Sequence, residues 1–196
     1  MTPPASLAIS ILNYRTGDMT IAAAQSVLDA LGPRDAQLVI VDNASGDGSA
    51  DQIARWIETT GDERARLVRS TTNSGFSGGP NQGMEAAPGA AFYLILNSDA
   101  LLRPDFFDHL MPVAQEAPNS GLFAPQLEWD DGTPQVSCFR VPSPTSEFLR
   151  GARSGPVTRL FRHRVVALDT PPDPAQIEWA SFACILLRGE MVRALG

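Results

Sequence analysis

Ala91-Phe92-Tyr93-Leu94-Ile95-Leu96-Asn97-Ser98-Asp99 is the stretch on which the reading of this chain turns. An apolar run with no polar alternation is a strand covered on both faces, as in a parallel α/β sheet. Such sheets bind ligands beyond the carboxyl ends of their strands. This run ends in a lone carboxylate, Asp99, behind the amide of Asn97 and the hydroxyl of Ser98. Leu38-Val39-Ile40-Val41 repeats the pattern: it ends in Asp42 and is followed by Asn43-Ala44-Ser45-Gly46-Asp47-Gly48-Ser49, a turn-rich segment that opens a helix. Two carboxylates are therefore expected on one rim of the sheet.

Working outward, Ser6 to Leu12 reads as a first strand with Asn13-Tyr14-Arg15-Thr16-Gly17-Asp18 as its loop. A helix is predicted from about Met19 to Leu31, because Ile21, Ala24, Val27, Leu28 and Leu31 recur at helical spacing before Gly32-Pro33. Ser49-Ala50-Asp51-Gln52 has the form of a capping box ahead of Ile53, Trp56 and Ile57. A third strand near Arg66-Leu67-Val68 leads into Thr72 to Gly79, and Pro80 is placed at the first position of a helix reaching about Ala87. After the strand ending at Asp99, a further helix is predicted from near Pro104. Such alternation needs helix-sized crossovers and favours a mostly parallel sheet flanked by helices. From Gly121 the pattern changes. Leu122 to Trp129 and Gln135 to Arg140 read as strands around a turn at Asp130-Asp131-Gly132-Thr133-Pro134, a small antiparallel element. Residues 141 to 175 read as a long loop with one short helix, Ile177 to Leu187 as a last strand, and Glu190 to Leu195 as the start of a helix. The expectation is a single α/β domain over 1–196, with a first half to residue 117 and a second from 118.

The 196 residues are 43% hydrophobic, enough for one substantial core. Cys138 and Cys184 lie in apolar surroundings and read as buried free thiols of a reducing compartment, and no Cys/His cluster has zinc spacing. No apolar run approaches the roughly 20 residues of a bilayer span, and no basic region precedes the N-terminal apolar residues, so a cytoplasmic protein is expected. A formal charge of -7 argues against nucleic-acid binding. All fifteen cations are arginine, and the absence of lysine excludes a Walker-type loop and lysine-nucleophile chemistry. Residues 148–168 concentrate Arg150, Arg153, Arg159, Arg162 and Arg164 with no acid, either a solvated face or a surface for peripheral contact with an anionic membrane or lipid-linked acceptor.

The motifs, in order, are Asn13-Tyr14, Val41-Asp42-Asn43-Ala44-Ser45, Asn73-Ser74-Gly75-Phe76 with Asn81, and Leu96-Asn97-Ser98-Asp99. Together they resemble those of the family 2 glycosyltransferases of GT-A (Rossmann-like) fold, with the rhamnosyltransferase-like branch of bacterial polysaccharide enzymes looking closest. Glu178 to Cys184 is similar to a later motif of that branch. The resemblance implies a nucleotide-sugar-binding first half and an acceptor-side second half. It implies a UDP- or dTDP-type donor with a Mg²⁺ or Mn²⁺ ion at Asp99, and a glycan or lipid-linked acceptor. Asn97 and Ser98 are then expected to contact the sugar or its ribose. Asn97 stands where an Asp-x-Asp motif would place a second carboxylate. Asp42 is suited to accept a hydrogen bond from a pyrimidine N–H, or else starts an Asx-turn. Tyr14 is suited to stack on the base or to pack. Asn13 and Asn73 complete the candidate set, Asn73 through a backbone that glycine brings close to the nucleotide. Asp99 read from position alone is also a helix cap.

Neither His109 nor His163 is a catalytic candidate, and Ser137, Ser181 and Cys184 lack a His-acid partner at recognisable spacing. Inverting transfer requires stabilisation of the leaving diphosphate and a base on the acceptor hydroxyl. Only the first is recognisable. In the family the base lies after a Gly that follows the helix beginning near Glu190, and this sequence stops at Gly196. The catalytic base is thus unassigned, with Glu178 and Glu190 as weak substitutes. The alternative expectation is a truncated, non-catalytic nucleotide-sugar-binding module that holds the donor and transfers poorly.

Overall fold

The apolar runs do become the buried centre of a sheet. In the computed structural model, which describes residues 6–152, 166–168 and 172–195, strands β1 (Leu7–Asn13), β2 (Ala36–Asp42), β3 (Ala65–Arg69) and β4 (Phe92–Asn97) are parallel. They alternate with helices α1 (Gly17–Leu31), α2 (Ser49–Thr60) and α3 (Gly75–Ala86), and α4 (Phe106–Glu116) follows β4. The later elements are β5 (Leu122–Phe123), β6 (Leu127–Glu128), β7 (Pro134–Gln135), β8 (Cys138–Phe139), α5 (Pro144–Ala152), β9 (Trp179–Ala180), β10 (Cys184–Arg188) and α6 (Gly189–Leu195). The main sheet runs β3-β2-β1-β4-β10-β5, with β10 antiparallel to both neighbours.

Strand order carries a functional consequence. The chain steps from β1 outward to β2 and β3, then returns past β1 to β4. With right-handed crossovers this reversal puts α3 on the face opposite α1 and α2, and opens a crevice at the carboxyl ends of β1 and β4. The core is the sheet itself: Ile9, Ile11, Leu38, Val39, Ile40, Val41, Leu94 and Ile185 are fully inaccessible. Val27 and Leu31 of α1 and Ile53 of α2 cover one face.

On α3 the covering surface is glycine. A Cβ on Gly79 would lie 2.0 Å from Leu12 Cδ1, and one on Gly83 would lie 2.0 Å from Ser10 Oγ. The helix therefore touches β1 with backbone. Ser10 sits beneath it with a buried hydroxyl that has no partner among the described residues. This corrects a sequence expectation: Pro80 lies inside α3 instead of at its first position, because the helix already starts at Gly75.

Two compact units emerge, Met1–Phe123 with Phe182–Gly196, and Ala124–Ser181. In the first, Arg188 on β10 donates to the carbonyls of Ala114, Ala117 and Ser120 and stacks near Phe92 and Phe123, so it satisfies the otherwise unpaired C-terminal end of α4. The second is built of two two-stranded sheets, β6-β7 and β8-β9, and α5. The expected turn at Asp130–Pro134 is present, closed by Trp129 N–H to Thr133 O at 2.9 Å. The two long strands expected around it are each broken. Leu122–Phe123 joins the main sheet, whereas Leu127–Glu128 pairs locally with Pro134–Gln135, with Pro125 between them. The last expected strand likewise splits into β9 and β10, which belong to different sheets.

The capping box is also not formed. The N-cap of α2 is Gly48; the Ser49 hydroxyl instead bonds Asp47 Oδ1 at 2.6 Å, and Gln52 bonds Asp18. Most of the arginine-rich segment, from Arg153 to Arg164 with His163, lies outside the described residues. Among the described residues no helix is long and apolar enough to cross a membrane.

Candidate functional site

The site grows from one register. Asn13 ends β1 directly opposite Asp42, which ends β2. Asn13 is completely buried and its amide nitrogen donates to Asp42 Oδ1 at 2.7 Å, Ser49 Oγ at 2.9 Å and Ser45 Oγ at 3.2 Å. Its amide oxygen accepts from the Thr16 backbone at 3.2 Å and from Thr20 Oγ1 at 3.1 Å. Both ends of Asn13 are thus engaged within the protein, and it orients Asp42. The Asp42 carboxylate is 5% exposed; Oδ1 also accepts from Ser45 Oγ at 2.6 Å, and Oδ2 accepts the Ser45 N–H at 3.3 Å, an Asx-type closure of the loop.

Further hydrogen bonds link this centre to the neighbouring loops. Thr16 Oγ1 reaches Ser98 Oγ at 3.3 Å, joining the loops after β1 and β4. Asn43, 2% exposed, donates to Asn73 Oδ1 at 2.9 Å and accepts the Ser74 N–H at 2.9 Å, joining the loops after β2 and β3. Gln82 of α3 bonds Ser74 Oγ at 3.0 Å and accepts from Ser70. The four loops at the carboxyl rim are therefore one connected polar network.

Asn97 and Ser98 are half-buried in the turn that follows β4, closed by Ala100 N–H to Asn97 O at 3.2 Å. Asp99 in that turn is exposed and makes no hydrogen bond or ion pair with a described residue. It does not cap α4, whose N-cap is Asp105. Tyr14 is 42% exposed with the Arg15 guanidinium 5.2 Å from its ring centroid. Two non-glycine residues adopt left-handed backbone, Arg15 at φ 60° and Ala44 at φ 57°, and both lie in these loops. Such conformations persist where the surroundings over-determine them, typically at sites. Asp47 titrates below the usual carboxylate range, chiefly because the Ser49 hydroxyl and N–H donate to it, with Arg15 adding a smaller attraction.

Sequence reasoning missed Ser45, Ser49, Thr16, Thr20 and the bridging role of Asn43. Their spacing does not mark them: Thr16 and Ser45 also have partners within their own loops, and the contacts that join the loops run from Asn13 to Ser45 and Ser49, from Thr16 to Ser98 and from Asn43 to Asn73. Of the acids weighed as a base, Glu178 accepts a hydrogen bond from the Val141 N–H inside the second unit, and Glu190 is exposed in the first turn of α6. His109 is exposed on α4 beside Asp105, at 3.1 Å.

A parallel four-strand core with an antiparallel fifth strand, reversing direction at β1 and β4 and carrying an acidic rim there, is the GT-A fold. A mannosyltransferase, PcManGT from Pyrobaculum calidifontis in complex with GDP-Man and Mn²⁺, superposes with a TM-score of 0.61 over 100% of this chain and 48% of its own, at 22% identity. Staphylococcus aureus TarS superposes at 0.52 over 69% of this chain and 41% of its own, at 18% identity. TarS in complex with UDP-GlcNAc gives 0.51 over 68% and 39%, at 16% identity. The chain spans less than half the length of each of these proteins. No curated protein sequence matches it significantly. The model of glycosyl transferase family 2 matches residues 6–150, well over half of the chain, and the chain belongs to that family.

Proposed function

We propose that this chain binds a nucleoside-diphosphate sugar, of UDP or dTDP type, and serves its inverting transfer to a glycan or lipid-linked acceptor in polysaccharide synthesis of the rhamnosyltransferase-like kind. One observation carries the reading. Two carboxylates at the ends of β2 and β4 flank the switch point in opposite states, Asp42 buried and held by three donors, Asp99 exposed and unpartnered among the described residues. A fixed acceptor suits recognition of a base N–H, and a free carboxylate suits a cation.

Among the described residues no group of three or more His, Cys, Asp or Glu side chains can hold a metal. One carboxylate beside an amide and a hydroxyl fits Mg²⁺ or Mn²⁺, which takes its remaining ligands from phosphate oxygens and water, and does not fit a zinc cage. The Mn²⁺ in the PcManGT complex supports the same assignment. When bound, the ion supplies positive charge against the departing diphosphate. The protein's own part is orientation. Asn13, Ser45 and the Ser45 N–H hold Asp42, leaving Oδ2 with a single long contact and acceptor capacity for a base. Tyr14 offers an exposed ring to the base, Asn73 sits exposed where β3 ends, and Asn97 and Ser98 face the sugar or ribose from the β4 turn.

Calorimetry with UDP, dTDP and GDP tests this. Binding is expected to be tighter with Mn²⁺ or Mg²⁺ than in EDTA. Asp99→Ala should remove the metal effect, and Asp42→Ala should weaken binding about tenfold even in EDTA, as expected for loss of a charge-assisted hydrogen bond. Metal dependence that survives Asp99→Ala would refute the assignment of Asp99.

A further inference from the structure

We infer that Arg15 binds the diphosphate of the donor through the two terminal nitrogens of its guanidinium, an inference that rests on the donor reading above. Arg15 follows β1 at the switch point and is held there in three ways. Its backbone N–H donates to Ser45 Oγ at 3.1 Å, its Nε donates to the Ser45 carbonyl at 3.1 Å, and its guanidinium carbon lies 5.2 Å from the Tyr14 ring centroid. Those contacts fix the plane of the guanidinium through Nε, while Nη1 and Nη2 have no partner among the described residues. The backbone at φ 60° is one that a long side chain avoids, so the loop holds this residue against its own preference.

Charge points to an anion. The loops after β1, β2 and β3 (14–16, 43–48 and 70–74) contain Arg15 as their single cation, beside Asp42 and Asp47, and the loop after β4 adds Arg103, four residues past Asp99. A divalent ion at Asp99 together with a diphosphate and these carboxylates leaves the rim net negative, and Arg15 supplies an opposing charge. The planar guanidinium presents paired donors that match phosphate oxygens, a geometry lysine lacks. The competing role is a purely local one, in which Arg15 only braces the Tyr14 ring. Bracing would affect the base alone, whereas diphosphate binding would affect only ligands that carry phosphate.

The experiment compares UDP with uridine, and dTDP with thymidine, on the full chain in EDTA, for wild type, Arg15→Gly and Arg15→Lys. Glycine accepts the φ of this position, which offsets the loss of the Nε hydrogen bond and the ring contact, so the variant is expected to stay folded and to unfold within a few degrees of wild type. Arg15→Gly should weaken the diphosphates about tenfold or more and leave the nucleosides within about twofold, with Arg15→Lys recovering part of the loss. Parallel weakening of nucleoside and diphosphate, or no change in either, would overturn the inference while the donor reading stood. A wild-type chain that binds neither diphosphate, with Mn²⁺ or Mg²⁺ as well as in EDTA, would overturn the donor reading and this inference with it.

Discussion

Asn13 occupies a position at which one side chain decides the state of another. Its amide satisfies a buried carboxylate and two hydroxyls from the segment after β2, and a third hydroxyl from α1. Replacement by alanine leaves Asp42 short of a donor in a site it cannot leave. Removing one partner of a buried hydrogen bond costs about 1–3 kcal/mol, and more where the stranded group is charged. Asn13→Ala is therefore expected to lower stability by about 3 kcal/mol in urea titration with an unchanged m-value, and to weaken nucleotide binding through Asp42. The identities of Asn13, Asp42 and Asp99 as candidates were legible from sequence, since strand ends in a parallel sheet mark ligand rims. Their different states were not, because burial and partners depend on neighbouring loops.

Helix α3 shows the same division among elements. Its glycines weaken it as an isolated helix, and Pro80 removes one backbone donor, yet it forms because its glycine face lies directly on β1. Alanine ordinarily improves a helix by about 1 kcal/mol over glycine. At Gly79 the sign reverses. The new methyl would meet Leu12 Cδ1 at 2.0 Å, with Cγ and Cδ2 at 2.9 Å, so either the Leu12 side chain or α3 must shift. Gly79→Ala is expected to destabilise by about 1–3 kcal/mol on chemical denaturation, as overpacked cores do. It should also loosen the Asn43–Ser74 bridge at the start of this helix, which thermal shifts with and without UDP would register as a reduced ligand-induced stabilisation.

Across the whole molecule the two cysteines report on the two units separately. Cys184 lies on β10 in the first, Cys138 on β8 in the second, and both are buried. Burial pushes the Cys184 thiol up to about 12. A raised pKa means the native state holds the neutral thiol more tightly. That contribution is complete below the unfolded value of 9.0 and is lost as pH climbs from there toward about 12. Native protein at pH 8 is expected to leave both thiols unmodified by a thiol-disulfide reagent. In the second unit the described buried apolar side chains are few, Cys138 and Leu168, and its strands are two residues long, whereas β10 lies within the six-stranded sheet. Cys138 should therefore become reactive at lower denaturant than Cys184, with mass-resolved labelling as the readout. Simultaneous labelling of the two would show that the units unfold as one.

Local physics was enough for the sequence by itself to determine the strands β1, β2 and β4, the presence of helices between them, and the acids at the ends of β2 and β4. Unbroken apolar runs have few folded alternatives to burial on both faces, and a parallel sheet exposes its ligand edge where such strands stop. Tertiary structure alone decided the rest. Leu122 to Trp129 and Ile177 to Leu187 carry strand-like composition throughout, and only pairing with β10 or β4 selected which residues extend the main sheet. Register alone set Asn13 opposite Asp42, and loop packing alone joined Thr16 to Ser98 and Asn43 to Asn73. Hydrogen bonds between residues some thirty to eighty positions apart leave no periodicity in the chain, so a polar network of this kind becomes visible only once the sheet has brought its strand ends together.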